Sequence, residues 1–227
     1  MKAILIAFLL CGICHAHQDP PKQVRVSVQY IEMAHPVMTE MLGGEETGGA
    51  ALHAKAIALL KTGEAKILET CMVVARSGQK STVESIREEI YPTEYETLGF
   101  GIPSSWSNFD PPNRAIAAFD TKNTGITLEI EPSIGSEGVI VDLRFLPEIV
   151  RRLRLDTFVE HKDEWGDASM RMPVFEKWNS NTSLTLLPGN FELASVINPK
   201  GQAPPPAVSR RILLFVRADI IEVPVSP

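Results

Sequence analysis

The sequence predicts an α+β fold dominated by antiparallel β-sheet, and three observations lead to this prediction. Residues 124–147, TGITLEIEPSIGSEGVIVDLRFLP, alternate apolar and polar side chains on both sides of a connection that carries glycine and serine. Such alternation around a glycine-bearing turn is typical of a β-hairpin. Similar alternating segments recur along the chain, and an alanine-rich stretch near its start favours a helix. Several hairpins behind one helical element form an α+β pattern.

The hairpin at 124–147 places its apolar residues on one face. The side chains predicted to share that face are Ile126, Leu128, Ile130, Val139, Val141, Leu143 and Phe145. Thr127, Glu129 and Glu131 point to the opposite face of the first strand, because successive strand side chains alternate. The sequence therefore predicts a sheet with one buried and one polar face.

The start of the chain alternates over residues 24–33 and is predicted to form a strand. A short helix follows over 36–42 and is stopped by two glycines at 43–44. A better helix covers 49–60 and ends at Thr62–Gly63, since glycine commonly terminates helices.

From residue 66 onward the chain is predicted to be mainly β. Strands over 67–75 and 80–90 join at 76–79, and residues 93–113, rich in proline and glycine, form a long loop. The polar segment 161–167 receives no assignment. The later predicted elements are strands over 172–178, 182–187 and 191–197, a type II turn at 187–190, a loop over 198–209, and a mostly apolar central strand over 211–221.

Composition excludes several classes of protein. The chain has 227 residues, of which 44% are hydrophobic, so it holds enough apolar side chains for a sizeable core. Its net charge is −6, and a nucleic-acid partner is not expected because no basic stripe could neutralise phosphates. The densest basic spot is Arg151, Arg152 and Arg154, which is predicted to be a solvated patch beside acidic segments.

Residues 1–16 resemble a secretory signal peptide, with a lysine, an apolar run and Ala16 at the cleavage position. The apolar run has about a dozen residues, short of the ~20 that a membrane-spanning helix needs. Cleavage would leave Cys71 as a single, buried and unreactive thiol. The expected segments are the signal peptide at 1–16, a leader at 17–23, a β-α segment at 24–65 and a β domain at 66–223.

No motif for catalysis, cofactor binding or metal binding is present. The sequence has no phosphate-binding glycine loop, no CxxC pair and no HExxH. An N-terminal His17 could chelate copper after cleavage, but no second histidine stands at a supporting distance in the sequence. His53 is expected at a surface or an interface. We therefore expect no enzyme activity, no cofactor and no metal.

Seven segments, taken in order, resemble the core domain of secretins, the outer-membrane ring proteins of type II and type III secretion and type IV pilus systems. The segment GITLEIEP at 125–132, followed by Gly138, is the closest match to the family pattern. The others are the strand at 24–33, the helix and strand at 50–70, VVARSGQ at 73–79, EEIYP at 88–92, NTSLTLLPG at 181–189 and ILLFVRADII at 212–221.

Two departures from the family pattern bear on function. Secretins carry several N-terminal periplasmic modules, whereas only a few residues precede Val24. A polar, proline-rich segment at 198–206 replaces an apolar family motif, and Arg217, Ala218 and Asp219 replace the terminal T-P pattern. These differences weaken an inference of gating and of membrane insertion.

The resemblance implies a secretin-like β-hairpin sheet or barrel segment with one or two N-terminal helices. It implies an exported protein of the outer membrane or periplasm that forms a homo-oligomeric ring or channel for protein secretion, with other secretion or envelope components as partners and with membrane association. The residues that carry the motifs are Gly78, Gln79, Pro92, Gly125, Pro132, Gly138 and Gly189. Glu129 and Glu131 would line the lumen. The alternative is a soluble periplasmic scaffold or binding module that keeps the fold without forming a pore.

Overall fold

The computed structural model describes residues 21–45, 48–97, 114–135, 137–160, 162–163, 166–167, 169–200 and 209–223. Two helices follow the first strand, and the rest is β. The elements are β1 (Lys22–Ala34), α1 (His35–Leu42), α2 (Gly49–Thr62), β2 (Ala65–Arg76), β3 (Ser81–Thr97), β4 (Arg114–Ile134), β5 (Val141–Val159), β6 (Lys162–Asp163), β7 (Gly166–Asp167), β8 (Met170–Asn179), β9 (Thr182–Leu186), β10 (Phe191–Ile197) and β11 (Arg210–Glu222).

Two antiparallel sheets stack on each other, and the helices cover the free side of the first. Sheet A has the strand order β10-β11-β1-β2, and sheet B has the order β3-β4-β5-β8 with β9 also beside β5. All pairings are antiparallel. The prediction of an α+β fold dominated by antiparallel sheet is confirmed.

The main core lies between the two sheets. Val24, Val26 and Val28 of β1 face Ile126, Leu128 and Ile130 of β4, among other fully or nearly fully buried residues. Each fully buried side chain of this kind contributes roughly 1.5–3 kcal/mol relative to exposure. The contact between the sheets is therefore the principal source of stability.

A second core lies between sheet A and the helices. Ile31 and Met33 of β1 pack with Met38 and Met41 of α1 and with Leu52 of α2, among others. This second layer explains why β1 alternates up to Tyr30 and is then buried on both faces. The apolar run of β11 has the same cause, because β11 lies between β10 and β1 with both faces covered.

Helix α2 ends where the sequence predicted. Gly63 adopts φ +80°, and its N–H meets the carbonyls of Leu59 and Leu60. A glycine in this left-handed conformation satisfies the last carbonyls of a helix. Helix α1 has Pro36 in its first turn, where a missing N–H costs nothing.

Two predicted details were wrong. Residues 93–97 belong to β3 and not to a loop. Pro92 is tolerated there because β3 is an edge strand whose register shifts between Pro92 and Glu94. Val139 lies in the turn before β5 with 57% of its surface exposed, rather than on the buried face. The signal peptide, residues 98–113 and residues 201–208 lie outside the described residues, and the four expected segments remain a prediction.

Sheet B divides into two hairpins at one end. Strands β4 and β5 pair from Ile134↔Val141 to Gly125↔Val150. The residues of β4 that precede Gly125 in the sequence pair only with β3, and the residues of β5 that follow Val150 pair only with β8. We call the pair of segments 87–97 and 114–124 hairpin 1, and the pair 151–159 and 170–177 hairpin 2. The place where the two hairpins separate is called the fork.

Candidate assembly surface

The motif glycines tie the two sheets together at their turns. Gly78 (φ +74°) lies between β2 and β3, and its N–H donates to the carbonyl of Pro132 at 2.7 Å. Gly189 (φ +90°) lies between β9 and β10, and its N–H donates to the carbonyl of Ala218 at 3.0 Å. Each hydrogen bond anchors a turn that connects the two sheets to the strand next to a sheet edge, β4 in sheet B for Gly78 and β11 in sheet A for Gly189. The sequence motif therefore marks positions that fix one sheet on the other.

Gln79 and Gly138 have simpler roles. The N–H of Gln79 donates to the carbonyl of Arg76 at 3.1 Å and closes the β2–β3 turn. Gly138 (φ +68°) lies in the β4–β5 turn, where its N–H donates to the carbonyl of Gly135 at 2.9 Å. Both residues shape turns at the closed end of sheet B.

Gly125 lies at the fork. Its φ of +129° is a backbone conformation that other residues rarely adopt, and a Cβ here would overlap the carbonyl oxygen of Ser85 on β3. Gly125 is also the last residue of β4 that pairs with β5. The glycine therefore allows β3 to approach β4 closely at the point where hairpin 1 leaves the sheet.

Each lateral side of the sandwich presents one edge strand from each sheet. Within the described ranges β2 pairs only with β1, and β3 pairs only with β4. Strands β2 and β3 are consecutive and contact each other, so their edges lie on the same side. Strands β9 and β10 likewise contact each other, and β8 and β9 both flank β5 on its outer side. The opposite side therefore presents β8, β9 and β10.

The two hairpins are layered beyond the fork. Glu89 of β3 and Arg152 of β5 form an ion pair of 2.9 Å between Oε2 and Nη1. The rings of Tyr91 on β3 and Phe175 on β8 lie 5.6 Å apart. Since Glu89 and Tyr91 are two residues apart, they share one face of hairpin 1. That face covers hairpin 2.

The opposite face of hairpin 1 is exposed and carries three large apolar side chains among polar ones, which include Glu88. Ile86, Ile90 and Phe119 keep 44%, 66% and 60% of their surface exposed. The register places Ile90 opposite Thr121, and Pro92 opposite Phe119, so Ile86, Ile90 and Phe119 lie on one face. Isolated exposed apolar residues are ordinary, whereas three large ones on one face of a hairpin favour an interaction surface. This face was not predicted from the sequence, although Ile86 and Ile90, an even number of residues apart in a strand, were a signal for it.

The face of hairpin 2 that points away from hairpin 1, which we call its inward face, carries charges. Arg151 Nη2 lies 3.5 Å from Glu176 Oε2, and its guanidinium lies 4.2 Å from the centre of the Trp178 ring. Arg154 Nε and Asp156 Oδ1 are 2.6 Å apart. Arg151, Arg152 and Arg154 thus each have an acidic partner, which explains how a dense basic patch is accommodated.

The two predicted lumen residues lie on the sandwich half of β4 and not on the hairpins. Glu129 Oε2 is 2.6 Å from Lys80 Nζ, and Glu131 Oε2 is 3.8 Å from Arg144 Nη1. Both carboxylates share the outward, polar face of β4, as their alternation predicted.

His53 lies in a half-buried contact between α2 and sheet A. Its ring stacks on Phe191 at 3.9 Å and meets Phe215 edge-on at 5.2 Å, while Nε2 lies 2.8 Å from Gln29 Oε1. Burial lowers the pKa of His53, and the positive charge of Arg217 adds to this effect. The imidazole is therefore held neutral as a packing group.

Cys71 faces the main core from β2. Burial raises the pKa of its thiol to about 11, with a further contribution from Glu69.

Within the described residues no cluster of three or more His, Cys, Asp or Glu side chains could hold a metal ion. Neither described helix has the length and hydropathy of a helix that crosses a membrane.

No protein-family model matches the chain, and no curated protein sequence matches it. Similar solved structures include the AspS–GspD pilotin–secretin complex of ETEC, with 11% identity over 89% of this chain and 50% of that chain at a TM-score of 0.45. The Salmonella SPI-1 injectisome secretin InvG has 7% identity over 92% and 66% at 0.45. The Pseudomonas aeruginosa T2SS secretin XcpQ has 12% identity over 90% and 60% at 0.43. The chain thus spans 50–66% of the length of these secretins, and at these identities no family assignment follows.

Proposed function

We propose that the chain is a subunit of a secretin-like, homo-oligomeric ring in the cell envelope, a channel component for protein secretion. The observation that carries this proposal is the arrangement of edge strands on the two sides of the sandwich. The ordered sequence motifs at 24–33 through 212–221 support it independently.

The edge strands have complementary directions. In sheet A, β10 and β2 are antiparallel to each other, because three successive antiparallel pairings separate them. The same holds for β3 and β8 in sheet B. Strand β2 of one copy can therefore pair antiparallel with β10 of the next, and β3 with β8 or β9 of that same neighbour. One head-to-tail contact extends both sheets.

A head-to-tail contact of this kind closes into a ring when the rotation between neighbours allows it. Closure also removes the exposed edges, which otherwise promote uncontrolled pairing. In the sandwich the ring would have two walls, one from each sheet, since both sheets are extended by one operation. Beyond the fork, the two hairpins of sheet B would form two layers, with hairpin 1 outside hairpin 2, because hairpin 1 covers the outward face of hairpin 2 at Glu89 and Arg152.

The faces of the hairpins fit such a ring. The outermost face carries the exposed apolar side chains of Ile86, Ile90 and Phe119, which suit contact with lipid, and one charge, Glu88, among them. The inward face of hairpin 2, with Arg151, Arg154 and Glu176, is charged and suits a water-filled lumen. Glu129 and Glu131 lie on the outward face of β4, the same face of sheet B as Ile86, so in this arrangement they would face away from the lumen. No catalytic step or cofactor is part of this proposal, and envelope secretion components would be the partners.

One observation favours the alternative of a soluble periplasmic scaffold. Strand β3 carries Glu84, Arg87, Glu88 and Glu89, and all but Glu89 are exposed. Charges on an edge strand are a common device against edge-to-edge pairing. In the ring these charges would instead face a neighbouring copy.

The native mass of the mature protein, extracted separately from envelope and soluble fractions, tests the proposal. We expect a large, heat-resistant ring in detergent extracts. The double variant M72K/V74K places two lysines on the edge strand β2, where both side chains are exposed, and should abolish the ring with the circular dichroism spectrum unchanged. V139K, in an exposed turn away from both lateral edges, should leave the ring intact. A soluble wild-type monomer or dimer would overturn the ring and favour the scaffold.

A further inference from the structure

An open depression lies at the base of the fork, in the gap between the two hairpins. Its lining comes from three strands and includes the polar residues Arg87 and Glu89 of β3, Thr124 of β4, and Arg151 and Arg152 of β5. Hairpin 1 and hairpin 2 diverge here because β4 and β5 stop pairing at Gly125 and Val150.

Arg87 and Arg152 both point into this gap. Glu89 reaches across it to Arg152 Nη1 at 2.9 Å. Arg87 lies two residues before Glu89 on the same strand, so its side chain projects from the same face of hairpin 1 as that of Glu89. Arg151, the neighbour of Arg152, leaves the opposite face and meets Glu176 and Trp178.

The gap therefore holds two guanidinium groups and one carboxylate. Glu89 Oε2 is paired with Arg152, and the Thr124 hydroxyl can donate its one proton either to the carbonyl oxygen of Arg87 at 3.3 Å or to Glu89 Oε1 at 3.4 Å. Within the described ranges Arg87 forms no ion pair, and it is exposed to the depression. The fork thus carries one positive charge that no carboxylate of these ranges balances.

We propose that the fork binds a phosphate-class oxyanion between Arg87 and Arg152. The planar guanidinium matches a phosphate with two parallel hydrogen bonds, and such charge-assisted bonds are about twice as strong as neutral ones. A tetrahedral anion offers enough oxygens to engage both arginines. Glu89 competes with the anion for Arg152 and so limits its affinity. This inference goes beyond the ring proposed above and does not depend on it.

Calorimetric titration of the mature chain with inorganic phosphate at constant ionic strength tests the site. We expect one phosphate per chain and an affinity at least about tenfold weaker in R87Q. R87K should retain part of the affinity, because the charge remains while the bidentate geometry is lost. E89Q should bind phosphate more tightly, since the competing carboxylate is gone. The matched control is R144Q, which loses the same charge at the pair Arg144–Glu131, away from the fork.

Vesicles separate the two sources of the phosphate group. Phosphatidylcholine vesicles with and without phosphatidic acid are compared by cosedimentation for the wild type, R87Q and R144Q. Saturable binding of free phosphate that depends on Arg87 identifies a soluble phosphate as the ligand. Binding of phosphatidic acid alone, again dependent on Arg87, identifies a lipid headgroup. The site is overturned by the absence of both, by equal losses in R87Q and R144Q, or by weaker binding in E89Q. None of these readouts reports oligomeric state, so failure here leaves the ring proposal standing.

Discussion

The carbonyl oxygen of Ser85 occupies the space that a side chain on Gly125 would need. The two residues lie on neighbouring strands of sheet B, and Gly125 is where β4 stops pairing with β5. The close approach and the division of the sheet therefore coincide at one residue. The glycine that the sequence motif singles out lies at the base of the fork.

Replacing Gly125 by alanine should destabilise the fold by about 2–4 kcal/mol. A non-glycine residue at φ +129° is strained, at a cost of order 1–3 kcal/mol, and its Cβ would also displace the backbone of Ser85. Urea unfolding followed by circular dichroism measures the change. G189A is the control, because Gly189 has positive φ (+90°) with no atom within 4 Å of the added Cβ. Equal losses in the two variants would show that the contact with Ser85 adds nothing.

The ion pair between Glu89 and Arg152 should couple the two hairpins. With Glu89 at 17% and Arg152 at 46% side-chain exposure, we expect a coupling free energy of about 0.5–1 kcal/mol. A double-mutant cycle with E89Q and R152Q, measured by urea unfolding, gives this value. Hydrogen exchange should become faster in both hairpins of either single variant. The pair Lys177–Glu148, which joins adjacent strands within sheet B, is the control and should leave exchange in hairpin 1 unchanged.

His53 should make the protein less stable in mild acid. Because the folded-state pKa of His53 is lowered, the unfolded state binds more protons as the pH falls through the usual value near 6.5. The contribution of His53 to stability is complete above that pH and is lost as the pH falls towards the folded-state pKa. H53N should reduce the difference between unfolding free energies measured at pH 7.5 and pH 5. An unchanged difference would contradict the account of a neutral, buried imidazole.

Cys71 should react slowly with thiol reagents in the folded protein. After the predicted cleavage at Ala16, the chain would contain this cysteine alone. With its pKa raised to about 11, the thiolate fraction at pH 8 is about a hundredfold below that of an ordinary cysteine. Iodoacetamide labelling followed by mass spectrometry should be slow in buffer and fast in urea. Rapid labelling of the folded protein would instead indicate that β2 opens readily.

The sequence predicted those features that depend on local periodicity. Alternation over Ile126, Leu128 and Ile130 identified the buried face of β4, and the apolar run at 211–221 identified β11 as a central strand. Gly63 identified the end of α2. These signals are local because each depends on side-chain spacing within one element.

The fork could not be predicted, because it depends on which strands pair and where pairing stops. The charges of Glu89 and Arg152 are visible in the sequence, but 63 residues of chain separate them, and only the register of β3, β4 and β5 brings them together. The extension of β3 past residue 90 was hidden by Pro92, which is permitted by its position on an edge strand. The candidate site is thus formed by long-range strand pairing and not by the local preference of the sequence for secondary structure.

Association of the protein with lipid should depend on the exposed apolar side chains of hairpin 1. Ile90 and Phe119 expose 66% and 60% of their surface on the outermost face, and transfer of apolar area out of water is favourable by roughly 25 cal/mol per Å². I90N/F119N should therefore reduce cosedimentation with phosphatidylcholine vesicles several-fold. V139N removes an equally exposed apolar side chain from the β4–β5 turn at the opposite end of sheet B and should bind as the wild type does. If both variants bind equally, the exposed face of hairpin 1 has no special affinity for lipid and faces another protein or water.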